Sequence, residues 1–175
     1  MGGTFETMSE VDFRLSGIEQ YLWERAGYFV RRGCLADGKE TVSAEDLNRL
    51  AAELIGPEVQ ERTDTDILCS PDWQRDLWAE TNGFADDHSS LARLEQALTI
   101  CWSRAKDIVL RIAPGSQSRP ITKETIESEA VNVRLEAGDI LVMNGNLLRR
   151  ADFEFRSRTW VGKSHPSWIP DTTYS

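Results

Sequence analysis

Two histidines, His88 and His165, and three cysteines, Cys34, Cys69 and Cys101, are all the imidazole and thiol this chain offers to a metal. An ordinary iron or zinc centre draws on several such side chains at fixed spacing, and no C-x-x-C pair occurs. His88 sits in the polar run Asp86-Asp87-His88-Ser89-Ser90 and His165 in Ser164-His165-Pro166, and both read as solvated loop residues. The sequence therefore points to no metal and no cofactor. Chemistry is left to carboxylates and guanidinium groups. An aspartate unpaired in an apolar pocket has a raised pKa and can act as a general base; beside an arginine its pKa falls by about 1 to 3 units, which suits binding better. An arginine presents a planar fork matched to a carboxylate. Trp73, Trp78, Trp102 and Trp160 fall on or beside apolar runs, where an indole either lines an organic pocket or fills a core. Of these, Trp73 and Trp102 are the candidates for ligand contact.

Charge narrows the partners. A formal net charge of -9 repels phosphate backbones and anionic lipid, and no local Lys/Arg cluster reverses it, so nucleic acid is excluded as a partner. No apolar run approaches a membrane span, and Met1 to Glu10 carry no apolar core of a signal peptide. The odd, scattered cysteines suit a reducing, cytoplasmic compartment. At 175 residues the expectation is one domain over 13–175 behind a flexible start at 1–12, large enough to fold without disulfides.

The elements that would position such groups can be read in turn. Ile18, Tyr21, Leu22 and Ala26 share a helical face, Gly27 can end that helix, and Tyr28 to Val30 form a short strand. A second helix starts at Ser43 as N-cap and runs through Leu47, Leu50, Ala51 and Leu54 to Gly56-Pro57. Beyond Asp64 the pattern changes to short apolar runs: Asp66 to Cys69, Leu98 to Trp102, Ile108 to Ile112, Val131 to Leu135, Ile140 to Met143 and Thr159 to Val161. Short helices are expected over Leu91 to Leu98 and Ile121 to Ile126. The series predicts an α+β, mainly β chain built as a sandwich or barrel.

Three stretches, in order, carry a resemblance: Gly27-Tyr28-Phe29-Val30 after a helix, Ala113-Pro114-Gly115-Ser116-Gln117, and Leu135-Glu136-Ala137-Gly138-Asp139-Ile140-Leu141-Val142-Met143. They resemble the phytanoyl-CoA dioxygenase family of the iron- and 2-oxoglutarate-dependent oxygenase superfamily, over most of the chain. The resemblance implies a double-stranded β-helix, a jelly-roll or cupin-like barrel with N-terminal helices packed on one side. It also implies an iron held by a His-x-Asp pair and a distant histidine. Trp73-Gln74-Arg75-Asp76-Leu77-Trp78 is similar to the family's W-H-x-D-x-W run, with Gln74 in place of the histidine. Asn144-Gly145-Asn146-Leu147-Leu148-Arg149 is similar to the run ending in the distal histidine, with Arg149 in its place. A carboxamide is a poor iron ligand and a guanidinium has no lone pair to give, so the resemblance is to a member without its iron site. A second alignment sets His88 as the ligand and leaves Ser90 where the aspartate belongs.

An arginine gripping the far carboxylate of 2-oxoglutarate completes the family pattern. Arg158 is similar in place, with Arg156 the alternative inward residue. On this reading Asp76 is the candidate catalytic base, or pairs with Arg149 across the vacated site, while Arg149, Arg158, Gln74, Trp73 and Trp102 bind a small organic, carboxylate-bearing ligand. The expected activity is a metal-independent isomerase, cyclase or lyase, or ligand binding alone. The alternatives are a pseudoenzyme acting through a protein partner or homo-oligomer, and an iron and 2-oxoglutarate oxygenase with other ligands.

Overall fold

Ser16 opens the first helix as a reciprocal cap: its hydroxyl accepts from the Glu19 N–H and the Glu19 carboxylate accepts from the Ser16 N–H, each at 3.1 Å. The structure is a computed structural model describing residues 14–34, 44–62, 70–75, 97–102, 107–151 and 156–163. Helix α1 (Gly17–Arg25) ends where Gly27 takes a φ of +82°, which turns the chain into strand β1 (Tyr28–Arg31). The apolar face read from the sequence does not enter the core. Ile18 and Tyr21 are 74% and 60% exposed, and α1 buries Trp23 instead.

Helix α2 (Ala44–Ile55) buries Leu47, Leu50, Ala51 and Ile55, the 3.6-residue stripe its sequence carries, and lies against strands β2 (Val59–Arg62), β4 (Ala97–Trp102) and β9 (Arg156–Gly162). The other strands are β3 (Ser70–Gln74), β5 (Ile108–Ile112), β6 (Val131–Leu135), β7 (Ile140–Asn144) and β8 (Arg149–Ala151). Two antiparallel sheets result, with strand orders β1-β7-β4-β9-β2 and β3-β8-β5-β6. This is the mainly β jelly roll with helices on one side that the sequence predicts.

The two faces of the larger sheet bury different residues. Phe29, Leu98, Ile100, Trp102, Ile140, Val142 and Trp160 pack with Trp23 and with Leu47, Leu50, Ala51 and Ile55 of α2. On the opposite face Leu141, Met143 and Cys101 meet Ile108, Leu110, Ile112, Val133, Leu135 and Ala151 of the smaller sheet, forming the barrel interior.

Several expectations are corrected. Helix α3 (Ile126–Glu129) begins where the expected helix over Ile121 to Ile126 was to end, because residues 123–125 form a turn. Leu98 belongs to β4 rather than to a helix. Strands β2, β3 and β8 were not read from the sequence. β3 contains Pro71, tolerated because it is an edge strand, and β8 is three residues long and led by two arginines, so neither has a readable apolar alternation. Asp66 to Cys69, the start of the expected helix at Leu91, and the proposed N-cap Ser43 lie outside the described residues.

Candidate functional site

Three of the stretches singled out in the sequence, those at Gly27, Ala113 to Gln117 and Asn144 to Arg149, meet at one rim of the barrel. Gly27 opens β1, residues 113–119 leave β5, and residues 144–148 join β7 to β8. The Gly115 N–H donates to Ala26 O at 3.0 Å, Asn144 N–H to Gly27 O at 2.8 Å, and Ala113 N–H to Leu148 O at 3.0 Å. The buried Ser116 hydroxyl accepts from the Leu148 N–H at 2.8 Å, and the Asn146 amide donates to Gln117 O at 2.8 Å. Gly145 must be glycine because a Cβ there would fall on the Cβ of Ala97.

Arg75 fastens these loops together, a part the sequence reading missed. Its side chain is 2% exposed, and Nη1 donates to Ser116 O and, at 2.6 Å, to Asn146 O. Burial pulls the guanidinium pKa down to about 10. At the other end of the barrel Asp139 plays a comparable part. Its carboxylate accepts from the Gly33 N–H at 2.8 Å, the Glu136 N–H at 2.9 Å and Arg32 Nη1 at 2.7 Å. The Gly138-Asp139 motif is thus a turn lock.

Arg149 stands on the inward face of β8, 3% exposed, in register with Gln74 of β3 on one side and Ile112 of β5 on the other. Its Nη1 donates to the carbonyls of Gly145, Leu147 and Asn144 at 3.2, 3.3 and 3.4 Å. Across the interior lies the Cys101 thiol, which burial pushes up to about 12 although the nearby Arg149 charge opposes the shift. Beside Arg149, Gln74 Oε1 is buried without a hydrogen-bond partner. On the facing sheet Thr99 and Thr159 are cross-strand partners, both buried, with their hydroxyls 3.2 Å apart. Among the described side chains that face the interior are a guanidinium, an amide and a hydroxyl pair. Groups of these types can meet the oxygens of a polar anion.

No family model and no curated protein matches the sequence. Solved structures do. The epimerase SnoN in complex with Fe3+, alpha ketoglutarate and nogalamycin RO is similar at 15% identity over 90% of this chain and 91% of that one, with a TM-score of 0.57. HygX from Streptomyces hygroscopicus with iron bound is 13% identical over 89% of this chain and 90% of that one, TM-score 0.52. AviO1 from Streptomyces viridochromogenes Tue57 is 14% identical over 93% and 99%, TM-score 0.52. The chain has the fold of 2-oxoglutarate-dependent enzymes.

Within that fold the remaining candidates separate. Arg158 lies on the helix side of β9, not in the barrel: Nε and Nη2 bind the Glu61 carboxylate at 2.5 and 2.7 Å, and the guanidinium covers the Trp160 ring at 5.5 Å. The side chain of Arg156, the alternative, is outside those described. The inward residues of β9 are Ser157, Thr159 and Val161. Trp102 is buried with Ile140 in the cluster beneath the helices. Trp73 lies outside the smaller sheet against Ala113, Ile121, Ile126 and Leu148, donating to Glu127 at 3.2 Å under the Arg150 guanidinium. Neither indole lines the interior. Asp76, His88, His165 and Trp78 lie outside the described residues.

Proposed function

We propose that this chain is a divergent, phytanoyl-CoA dioxygenase-like protein that binds a small organic anion in its barrel and acts as a metal-independent isomerase, cyclase or lyase, or as a ligand carrier. One observation carries the reading: Arg149 is buried on the inward face of β8, directly opposite Gln74. These are the two positions where the motif resemblance expects imidazoles. The residues present do not fit an iron, because a guanidinium offers no lone pair and keeps its positive charge at any accessible pH. A cation fixed there supplies the electrostatic part a metal would otherwise supply to a developing anion, without any ligand exchange. Asp76, two residues beyond Gln74, is the candidate base, and its acidity would depend on how near Arg149 it stands. SnoN, the epimerase among the similar structures, is described as alpha ketoglutarate dependent; this chain would reach such chemistry by acid-base means.

Elemental analysis of the purified chain, with succinate assayed after incubation with 2-oxoglutarate and iron(II), tests the reading. The expected result is iron far below one equivalent and no succinate. Acetate should raise the melting temperature of the native chain and not that of Arg149→Met. Stoichiometric iron with turnover of 2-oxoglutarate would overturn the proposal.

The partner-protein reading has one observation in its favour, the exposed Ile18, Tyr21 and Leu22 on α1. Light scattering across a hundredfold concentration range, with Tyr21→Glu as control, checks whether that face joins two copies.

A further inference from the structure

Asn144-Gly145, at the rim, is one of two Asn-Gly pairs in the chain; the other, Asn82-Gly83, lies outside the described residues. Asparagine before glycine is prone to react with its own backbone, because a following residue without a side chain lets its nitrogen reach the carboxamide carbon. The fold uses both members of the pair. A Cβ on Gly145 would fall on Ala97. Asn144 Oδ1 accepts from the Asn146 N–H at 2.9 Å, a turn made by a short side chain that reaches the backbone two residues on. The same fold also withholds the reaction. The Gly145 N–H donates to Ala97 O at 2.7 Å, and Asn144, 6% exposed, has its own N–H on Gly27 O at 2.8 Å. The Gly145 nitrogen must give up its proton to attack, and a buried N–H held in so short a bond, away from water and hydroxide, keeps it.

From this conflict we propose that Asn144-Gly145 is a self-modification site gated by the rim. While the rim is closed the pair is inert. When the bonds to Gly27 O and Ala97 O open, the Gly145 nitrogen loses its proton to hydroxide and attacks Asn144 Cγ. A C–N bond forms and the carboxamide nitrogen leaves as ammonia. Water then opens the resulting succinimide at either carbonyl, giving aspartate or isoaspartate at position 144. Aspartate keeps an acceptor for the Asn146 N–H. Isoaspartate lengthens the main chain by one carbon between the Asn144 and Gly145 nitrogens, so the bonds to Gly27 O and Ala97 O do not both re-form. The chain thus carries a covalent record of rim opening, and its isoaspartate form cannot close again. The proposal is independent of what the barrel binds.

Peptide mapping of deamidation at pH 8, in buffer and in urea, tests this directly. In urea the two Asn-Gly pairs should deamidate at similar rates. In buffer Asn144 should be slower than in urea by at least about a hundredfold, the factor set by the free energy of opening a hydrogen-bonded rim. Ser116→Ala, which removes the acceptor of the Leu148 N–H, and Arg75→Met, which frees the Ser116 and Asn146 carbonyls, should each raise the rate at Asn144 in buffer by about tenfold and leave the rate in urea unchanged. Asp139→Asn, at the opposite end of the barrel, should not raise it. A rate in buffer within about tenfold of that in urea overturns the proposal, as does no rise in either rim variant, or an equal rise in Asp139→Asn. Isoaspartate chains, separated by ion exchange, should exchange amide hydrogens faster than the native chain in residues 144–148, and native protection there overturns the one-way step.

Discussion

Replacing Asp139 by asparagine tests whether the Gly138-Asp139 motif is a turn lock. The carboxylate holds two backbone N–H groups, from Gly33 and Glu136, and the Arg32 guanidinium. An asparagine oxygen can keep one N–H, but its NH2 must face the other, and a buried donor left unmet costs about 1–3 kcal/mol. The Arg32 pair adds little, since that side chain is 60% exposed and surface pairs contribute at most about 1 kcal/mol. The expected loss is about 3 kcal/mol near neutrality, or a melting-temperature drop of about 6–12 °C for a chain of this size. The pH dependence is the sharper part. Burial alone would raise the Asp139 pKa, but the hydrogen bonds from Glu136, Gly33 and Arg32 outweigh it and hold the carboxyl below its ordinary 3.8. A group acidified by folding stabilises in full above its unfolded pKa, and the contribution is lost as pH falls through the folded value. Urea unfolding of the native chain and Asp139→Asn from pH 7 to pH 3 should therefore show a gap that is constant to about pH 5 and closes below the unfolded value near 3.9. A gap that stays constant down to pH 3, or one below about 0.5 kcal/mol at pH 7, would refute the assignment.

Three further outcomes follow from the rim and the interior. Gly145→Ala should destabilise the chain by at least about 2 kcal/mol through overlap with Ala97, and Ala97→Gly in the same chain should recover most of it, as read by thermal unfolding. Arg75→Met should cost about 3 kcal/mol by stripping donors from the carbonyls of Ser116 and Asn146, and hydrogen exchange should speed up in residues 113–119 and 144–148 before other regions. Burial pushes the thiols of Cys101 up to about 12 and Cys34 up to about 11, so peptide mapping after iodoacetamide at pH 8 should find Cys101 unmodified until the chain is unfolded.

What could be read from the sequence was what local chemistry dictates. Gly27 and Gly138 were legible because positive φ is a property of one residue, and both take it, at +82° and +94°. The α2 stripe was legible because one face of that helix is buried and the other wet. The Gly27, Pro114-Gly115-Ser116 and Asn144-Gly145-Asn146 stretches were legible as motifs in order along the chain, whereas their meeting at one rim is seen only in the hydrogen bonds between them. Arg75 was not legible: its partners are three backbone carbonyls far away in sequence, Ser116, Arg119 and Asn146, and carbonyls leave no trace in residue identity.

The direction of each strand side chain was the harder matter, and it decides the chemistry. A strand reveals its inward face only when one face is wet, and β4 and β7 are buried on both, one against the helices and one against the smaller sheet. In β9 Trp160 and Val161 are likewise both buried, so nothing in the run Arg156-Ser157-Arg158-Thr159 tells arginine from threonine as the inward residue. The register with β4 and β2 settles it. Thr159 pairs with Thr99 of the neighbouring strand on the face toward the interior, while Arg158 reaches Glu61 on the other face, and a slip of one residue would exchange the two. Arg149 on β8 thus faces the interior, while on β9 Thr159 stands inward where an arginine was expected.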